Sequence, residues 1–295
     1  MTTPNIPPTA VACSFSELTD TLERINEFWK TRWNVENPGF CFRRADKASY
    51  DLNPSLLRWP YPEDVKSLAH RENSIYLEFR LRSKPLIGHH VTSTWEAMLT
   101  MQQYGFPTRL LDWSKSLAVA AHFSVRDIDC DVEGAIWVMA SRRLMELRGY
   151  SDCWRSVIGD PSIESLAMKD KPEEIEDPKA QIPAPIAPDQ FSPRMIVQQG
   201  IYTVHSYQRF VLERLAAADR QDFGDATFLH KIVIPGCSKE GLRSELSLFA
   251  GISEETLFPD LDGFARALVA ESKRNRRLDE LKPQAGPIAS FFSGQ

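Results

Sequence analysis

The sequence predicts an α+β fold: a single mixed domain in which a small central β-sheet is flanked by helices. Three observations carry that expectation. Segments with helical and strand periodicity follow one another in mixed order, not as repeated βαβ units. Gly134 to Ala140 (GAIWVMA) is an almost unbroken apolar run, as a central strand requires. The 295 residues are 42% hydrophobic and 25% charged, ordinary values for a soluble globular chain.

The elements follow in order. Residues 1–13 carry no periodic pattern and are expected to be a flexible tail. Residues 14–33 predict a helix, with Ser14 and Glu17 as a capping box and Phe15, Leu18, Leu22, Ile25 and Phe28 at helical spacing. Asn37-Pro38-Gly39 ends that segment. Phe40 to Arg43 predicts a short strand, with Arg43 on the face opposite Phe40 and Phe42. A loop or short helix over 52–59 leads to a charged helix over 63–82. Ser93 to Tyr104 predicts a helix capped by Ser93 and Glu96 and stopped by Gly105. Residues 114–125 predict a buried helix, and 134–140 the central strand.

The second half is less regular. Six prolines between 170 and 193 disfavour both helix and central strand, so this stretch is expected to be a surface excursion. Residues 194–204 predict a strand pair or a strand bulged around Gly200. A helix over 207–217, a strand over 228–234 and a helix over 238–249 closed by Gly251 follow. A last helical region over 253–276 is interrupted at Pro259. The domain is thus expected to span 14–276, with 277–295 as a C-terminal tail.

Composition excludes several classes of function. A net charge of −5 argues against general nucleic-acid binding, which needs clustered cations. The five cysteines are scattered, with no C-x-x-C pair, so neither a disulfide framework nor a zinc site is expected. The histidines show no ligand spacing, and no metal is expected. The N-terminus has neither a basic nor an apolar signal region, and no apolar run reaches membrane-spanning length. These features, with the free thiols, suggest a cytoplasmic protein. G-x-S-x-G, P-loop and G-x-G-x-x-G motifs are missing, which removes the common hydrolase, nucleoside-triphosphatase and Rossmann routes.

Residues 102–114 (QQYGFPTRLLDWS) are the most informative stretch. Gly105 and Pro107 break the preceding helix, and Thr108, Arg109, Asp112, Trp113 and Ser114 follow. Their expected setting is an irregular turn. One reading is structural: Arg109 pairs with Asp112, and Asp112 or Ser114 caps the next helix. The other places Arg109 and the exposed N–H groups of that helix start against an anion. Trp113 is either a core residue or a stacking surface for a planar ring.

These blocks resemble the FRG-domain family, named for a Phe/Tyr-Arg-Gly motif. The similar residues are Phe42-Arg43, Leu52 to Arg58, Gln102 to Ser114, Gln198 to Thr203, and Gly251-Ile252 with Leu257 to Gly263. Arg44 stands where the family name has Gly, and Gln103 where the family usually has His. The order of elements is also similar to ADP-ribosyltransferase-like folds. That similarity implies an NAD-directed enzyme, either transferring ADP-ribose or hydrolysing NAD, without a tightly bound cofactor. It implies a catalytic pair, Arg43 for phosphate or ribose and Gln199 for ribose orientation. The binding wall would be Arg43, Thr108, Arg109, Asp112, Trp113 and Ser114. A bacterial toxin or antiphage effector would fit such an activity. The alternative is a non-catalytic module for a nucleotide or a protein partner, favoured by Gln198 and Gln199 standing where a strand Glu is expected.

Overall fold

The computed structural model describes residues 6–45, 47–58, 64–87, 91–126, 131–158, 160, 163, 166, 178–190, 192–261, 263–269 and 271–272. It is a single α+β domain built on one sheet of eight strands, larger than the small sheet expected. The strands are β1 (Ala10–Val11), β2 (Phe40–Ala45), β3 (Leu110–Ser114), β4 (Gly134–Ala140), β5 (Arg155–Ser156), β6 (Ala184–Ala187), β7 (Gly200–Val204) and β8 (Leu229–Ile234). Their spatial order is β1-β8-β4-β2-β3-β7-β6-β5. The β1–β8 and β5–β6 pairs are parallel and the others antiparallel.

The apolar run at 134–140 is β4, buried along its whole length. It pairs in register with β2 from Phe40↔Ala140 to Ala45↔Ala135, and with β8 on its other side. The helices expected from periodicity form where their caps place them. In α1 (Phe15–Trp33), Ser14 Oγ accepts from Glu17 N, and the Glu17 carboxylate accepts from Cys13 N at 2.7 Å. In α3 (Thr94–Gln103), Ser93 Oγ and the Glu96 carboxylate make the same reciprocal arrangement with Glu96 N and Thr92 N. The charged helix is α2 (Val65–Arg82), capped by Asp64. Then come α4 (Leu117–Ser124), α5 (Ser141–Leu147), α6 (Pro193–Val197), α7 (Val211–Phe223), α8 (Lys239–Ala250), which ends on Gly251 at φ +63°, and α9 (Glu254–Leu257).

Four expectations are corrected. Residues 6–12 are not a tail: Ala10 and Val11 pair with β8, and Ile6 and Ala12 are buried. Residues 110–114 are not an irregular turn but a strand inside the sheet, with Leu111 and Trp113 buried in the core and Asp112 exposed. The irregular turn is confined to 104–109. Residues 194–204 are not a strand pair; α6 and a two-residue turn precede β7. The proline-rich stretch contains β6, which lies between β7 and β5 with Ala184 and Ile186 buried. Pro185 is tolerated because the β5 ladder beside it is only two residues long and asks for few donors. The expected tail at 277–295 lies outside the described residues.

Candidate functional site

The sheet is two four-stranded halves joined at one point. β2 and β4 share six paired positions and β3 and β7 share five, whereas β2 and β3 meet only at Phe42↔Ser114. Backbone alternation shows what the separation exposes. Arg109 O accepts from His205 N and Lys115 N donates to Gln199 O, so odd positions of β3 point at β7. Asp112 therefore directs its N–H and C=O towards β2. Ser141 N donates to Gly39 O, so the odd positions of β2 point at β4 and Arg44 faces the gap. A continued ladder would pair Arg44 with Asp112. Instead, the Arg43 guanidinium donates from Nη1 to Asp112 O at 2.7 Å and lies 3.7 Å from Asp112 Oδ2. A side chain pins the halves where the backbone ladder stops.

A cleft of about 470 Å³ opens there, a volume suited to a small-molecule ligand. Four guanidinium groups line it, Arg43, Arg44, Arg58 and Arg126, against two carboxylates, Asp51 and Asp112. The lining is therefore cationic by two charges. Tyr50, Phe123, Tyr202 and Phe258 supply aromatic surface. Arg44 lies over the Phe123 ring at 5.2 Å, and Phe123 meets Phe258 edge-on at 5.8 Å. Burial pushes the Tyr202 phenol up, and the neighbouring Asp112 charge adds to the shift. Tyr202 therefore stays neutral.

Of the residues singled out in the sequence, Arg43, Asp112, Trp113 and Ser114 line this cleft. Trp113 is nonetheless a core residue, 3% exposed, with Nε1 donating to Thr203 Oγ1 at 3.0 Å. Ser114 Oγ donates to Gln198 O and accepts from Ser116 N, and it is Ser116 that caps α4. Neither Asp112 nor Ser114 is that cap.

Thr108, Arg109 and Gln199 do not line the cleft. Arg109 does not pair with Asp112. It is buried, donating to Glu72 Oε2 at 2.7 Å, His205 O at 2.9 Å and Leu166 O at 3.2 Å, and it lies 4.6 Å over the Tyr207 ring. Tyr207 OH donates to the same Glu72 oxygen. Each of its three nitrogens donates within the protein and the side chain is buried outside the cleft, which leaves it no access to an anion there. Thr108 is buried, its N–H donating to Ser55 Oγ and its C=O accepting from Leu56 N. Gln199 is exposed on the turn before β7 at φ +47°, with its carbonyl tied to Lys115 N.

Thr108 nevertheless reaches the cleft indirectly. Its Oγ1 accepts from Leu110 N and donates to Gln102 Oε1, and Gln102 Nε2 donates to Asp112 Oδ2 at 2.8 Å. Asp112 itself is 56% exposed.

The other wall comes from far along the chain. Glu254 on α9 accepts a hydrogen bond from Arg126 at 2.6 Å and forms an ion pair with Arg266 at 3.1 Å, and His122 Nε2 lies 3.6 Å away. Burial lowers the His122 pKa. Arg126, Arg194 and Arg266 surround the Phe258 ring at 4.5 to 5.5 Å. Gln198 Nε2 donates to Leu257 O. Asp260 Oδ1 accepts from Gly263 N, as a helix cap does. Sequence reasoning missed Arg44, Arg58, Arg126 and Asp51 because isolated charged residues look like ordinary surface. The one available signal was Arg44 beside Arg43 on a strand otherwise apolar. Among the described residues no group of His, Cys, Asp and Glu is arranged to hold a metal ion, and no helix is long and apolar enough to cross a membrane.

The geometry thus defines a single α+β domain whose sheet splits to form a cationic, aromatic-lined cleft. The family model of the FRG domain matches residues 38–131, and the chain contains an FRG domain. The match spans β2 to α4, including Arg43, Arg44, Arg58, Asp112 and Arg126, whereas Tyr202 and Phe258 lie beyond it. Arg44, at the position the motif gives to Gly, is in extended strand and needs no glycine freedom. Gln103, where the family usually has His, donates to Ser192 Oγ. No curated protein and no solved structure matches the chain.

Proposed function

We propose that the cleft binds a dinucleotide of the NAD and ADP-ribose type, and that the protein is an NAD-directed enzyme, either hydrolysing NAD or transferring ADP-ribose. One observation carries the reading. The gap between β2 and β3 combines an excess of guanidinium groups with aromatic rings, in a volume that fits such a ligand. Guanidinium forks match phosphate oxygens in pairs, and planar rings take bases by stacking. Arg43 pins the sheet and Arg126 is paired with Glu254, so the exposed Arg58 is the main phosphate contact in this proposal, with Arg44 and Arg126 beside it.

The test is calorimetric titration of ADP-ribose into wild-type protein and Arg58→Ala. Arg58 is exposed, so its removal leaves the fold unchanged. The loss of a charge-assisted contact is expected to weaken binding by about 10- to 100-fold. An absence of binding at millimolar ADP-ribose, or unchanged affinity in Arg58→Ala, would refute the reading. Depletion of NAD on expression in bacteria would extend it to a toxin or antiphage effector.

A second reading has the cleft bind a nucleotide without chemistry, or serve a protein partner. It is favoured by Gln198, whose amide is tied to Leu257 O where an acidic strand residue was expected. A thermal shift with ADP-ribose, and no nicotinamide released from NAD, would favour it.

A further inference from the structure

The hydrogen-bond polarity of the Thr108–Gln102–Asp112 chain is determined. The Asp112 carboxylate can only accept, so the Gln102 amide turns its NH₂ to Asp112 Oδ2, where it donates at 2.8 Å. Gln102 Oε1 then faces Thr108 Oγ1, which donates to it and accepts from Leu110 N. Arg43 holds the other side of Asp112 through its carbonyl and lies 3.7 Å from the same Oδ2. Asp112 Oδ1 has no protein partner among the described residues. Such a network leaves one carboxylate oxygen oriented and unspent, on an exposed side chain in a cleft of ligand size. Gln102 and Arg43 both hold the carboxylate at Oδ2, which orients Oδ1, and a catalytic group must be held in its productive geometry.

The geometry points to Asp112 as the carboxylate that handles the ribosyl centre of NAD, with Gln102 and Thr108 as its positioning residues. This rests on the NAD reading above. In the reaction, the bond between ribose C1′ and the nicotinamide nitrogen breaks, and its electron pair leaves on neutral nicotinamide. Positive charge develops at C1′ and O4′, and the fixed negative charge of Asp112 stabilises it. Water forms the new C1′–O bond. Its proton passes to Asp112 and then to solvent, giving ADP-ribose and nicotinamide.

The experiment measures nicotinamide release and ADP-ribose affinity in wild type, Asp112→Asn, Thr108→Val and Thr108→Ser, with thermal midpoints as a folding control. Asp112→Asn is expected to lower kcat at least about 100-fold, with KM and ADP-ribose affinity little changed. Thr108→Val is expected to lower kcat by about tenfold without moving KM. Thr108→Ser, which keeps the hydroxyl, is expected to restore it. A folded Asp112→Asn that releases nicotinamide at the wild-type rate would overturn the proposal. So would its loss of ADP-ribose affinity, which would make Asp112 a binding residue only, or a wild type that binds ADP-ribose without turnover. A wild type that binds neither nucleotide refutes the NAD reading itself.

Discussion

Replacing Arg109 by alanine separates structure from binding at the signature segment. Arg109 and Glu72 are 5% and 1% exposed, and their contact is 2.7 Å. Removing the guanidinium strands a buried carboxylate, which keeps only Tyr207 OH, and leaves the His205 and Leu166 carbonyls without this donor. Breaking a buried pair from one side costs about 3–5 kcal/mol. For a domain of this size, each kcal/mol lowers the thermal midpoint by roughly 2–4 °C. The expected fall is therefore about 6–20 °C, read by calorimetry or circular dichroism. Glu72→Ala should cost a comparable amount. The double variant should cost clearly less than the sum, because neither partner is then left charged and alone. At a temperature where Arg109→Ala is still folded, ADP-ribose should bind with near wild-type affinity. A stable Arg109→Ala that has lost binding would refute the structural assignment and return Arg109 to the site.

Two further outcomes are expected. Gly39 has φ +67°, and a Cβ there would meet Ser141 Oγ and, at 2.7 Å, Cys153 Cβ, while its carbonyl accepts from Ser141 N and Oγ. Gly39→Ala should destabilise by about 1–3 kcal/mol in urea titration, and an unchanged midpoint would contradict the packing at the β2–β4 junction. His205 and His230 are held neutral, burial pushing their pKa values from 6.5 down to about 3 and about 4. As pH falls below 6.5 the unfolded chain takes up these protons first, so stability is full above that pH and is lost towards 4 and 3. Unfolding free energy should thus decline less between pH 7 and 4.5 in His205→Gln than in wild type, and parallel declines would contradict it.

Much of the fold is legible because its signals are local. Ser14, Glu17, Ser93 and Glu96 announce two helix starts through side chains within four residues, and the GAIWVMA run announces a strand buried on both faces. What misleads is pairing that local pattern does not encode. Leu110 to Ser114 follows Gly105 and Pro107 and carries Asp112, so it looks like loop. It is a strand because β7 supplies a five-position ladder some ninety residues later. Ala10 and Val11 become a strand only because β8 offers an edge. The site is divided in the same way. Arg43 and Asp112 were both visible as candidates, and their meeting across the gap in the sheet is what makes them neighbours. Arg109 misled because its partner is Glu72 on a separate helix, not the nearby Asp112. Arg126 belongs to the cleft in a setting that Glu254 and Phe258 provide from across the sequence.

The proposed dinucleotide site is the gap between β2 and β3. A crystal structure of the protein soaked with ADP-ribose tests it most directly. The pyrophosphate is expected within hydrogen-bond distance of Arg58, with the ribose beside Asp112. ADP-ribose bound elsewhere, with the gap unfilled at saturating concentration, would contradict it.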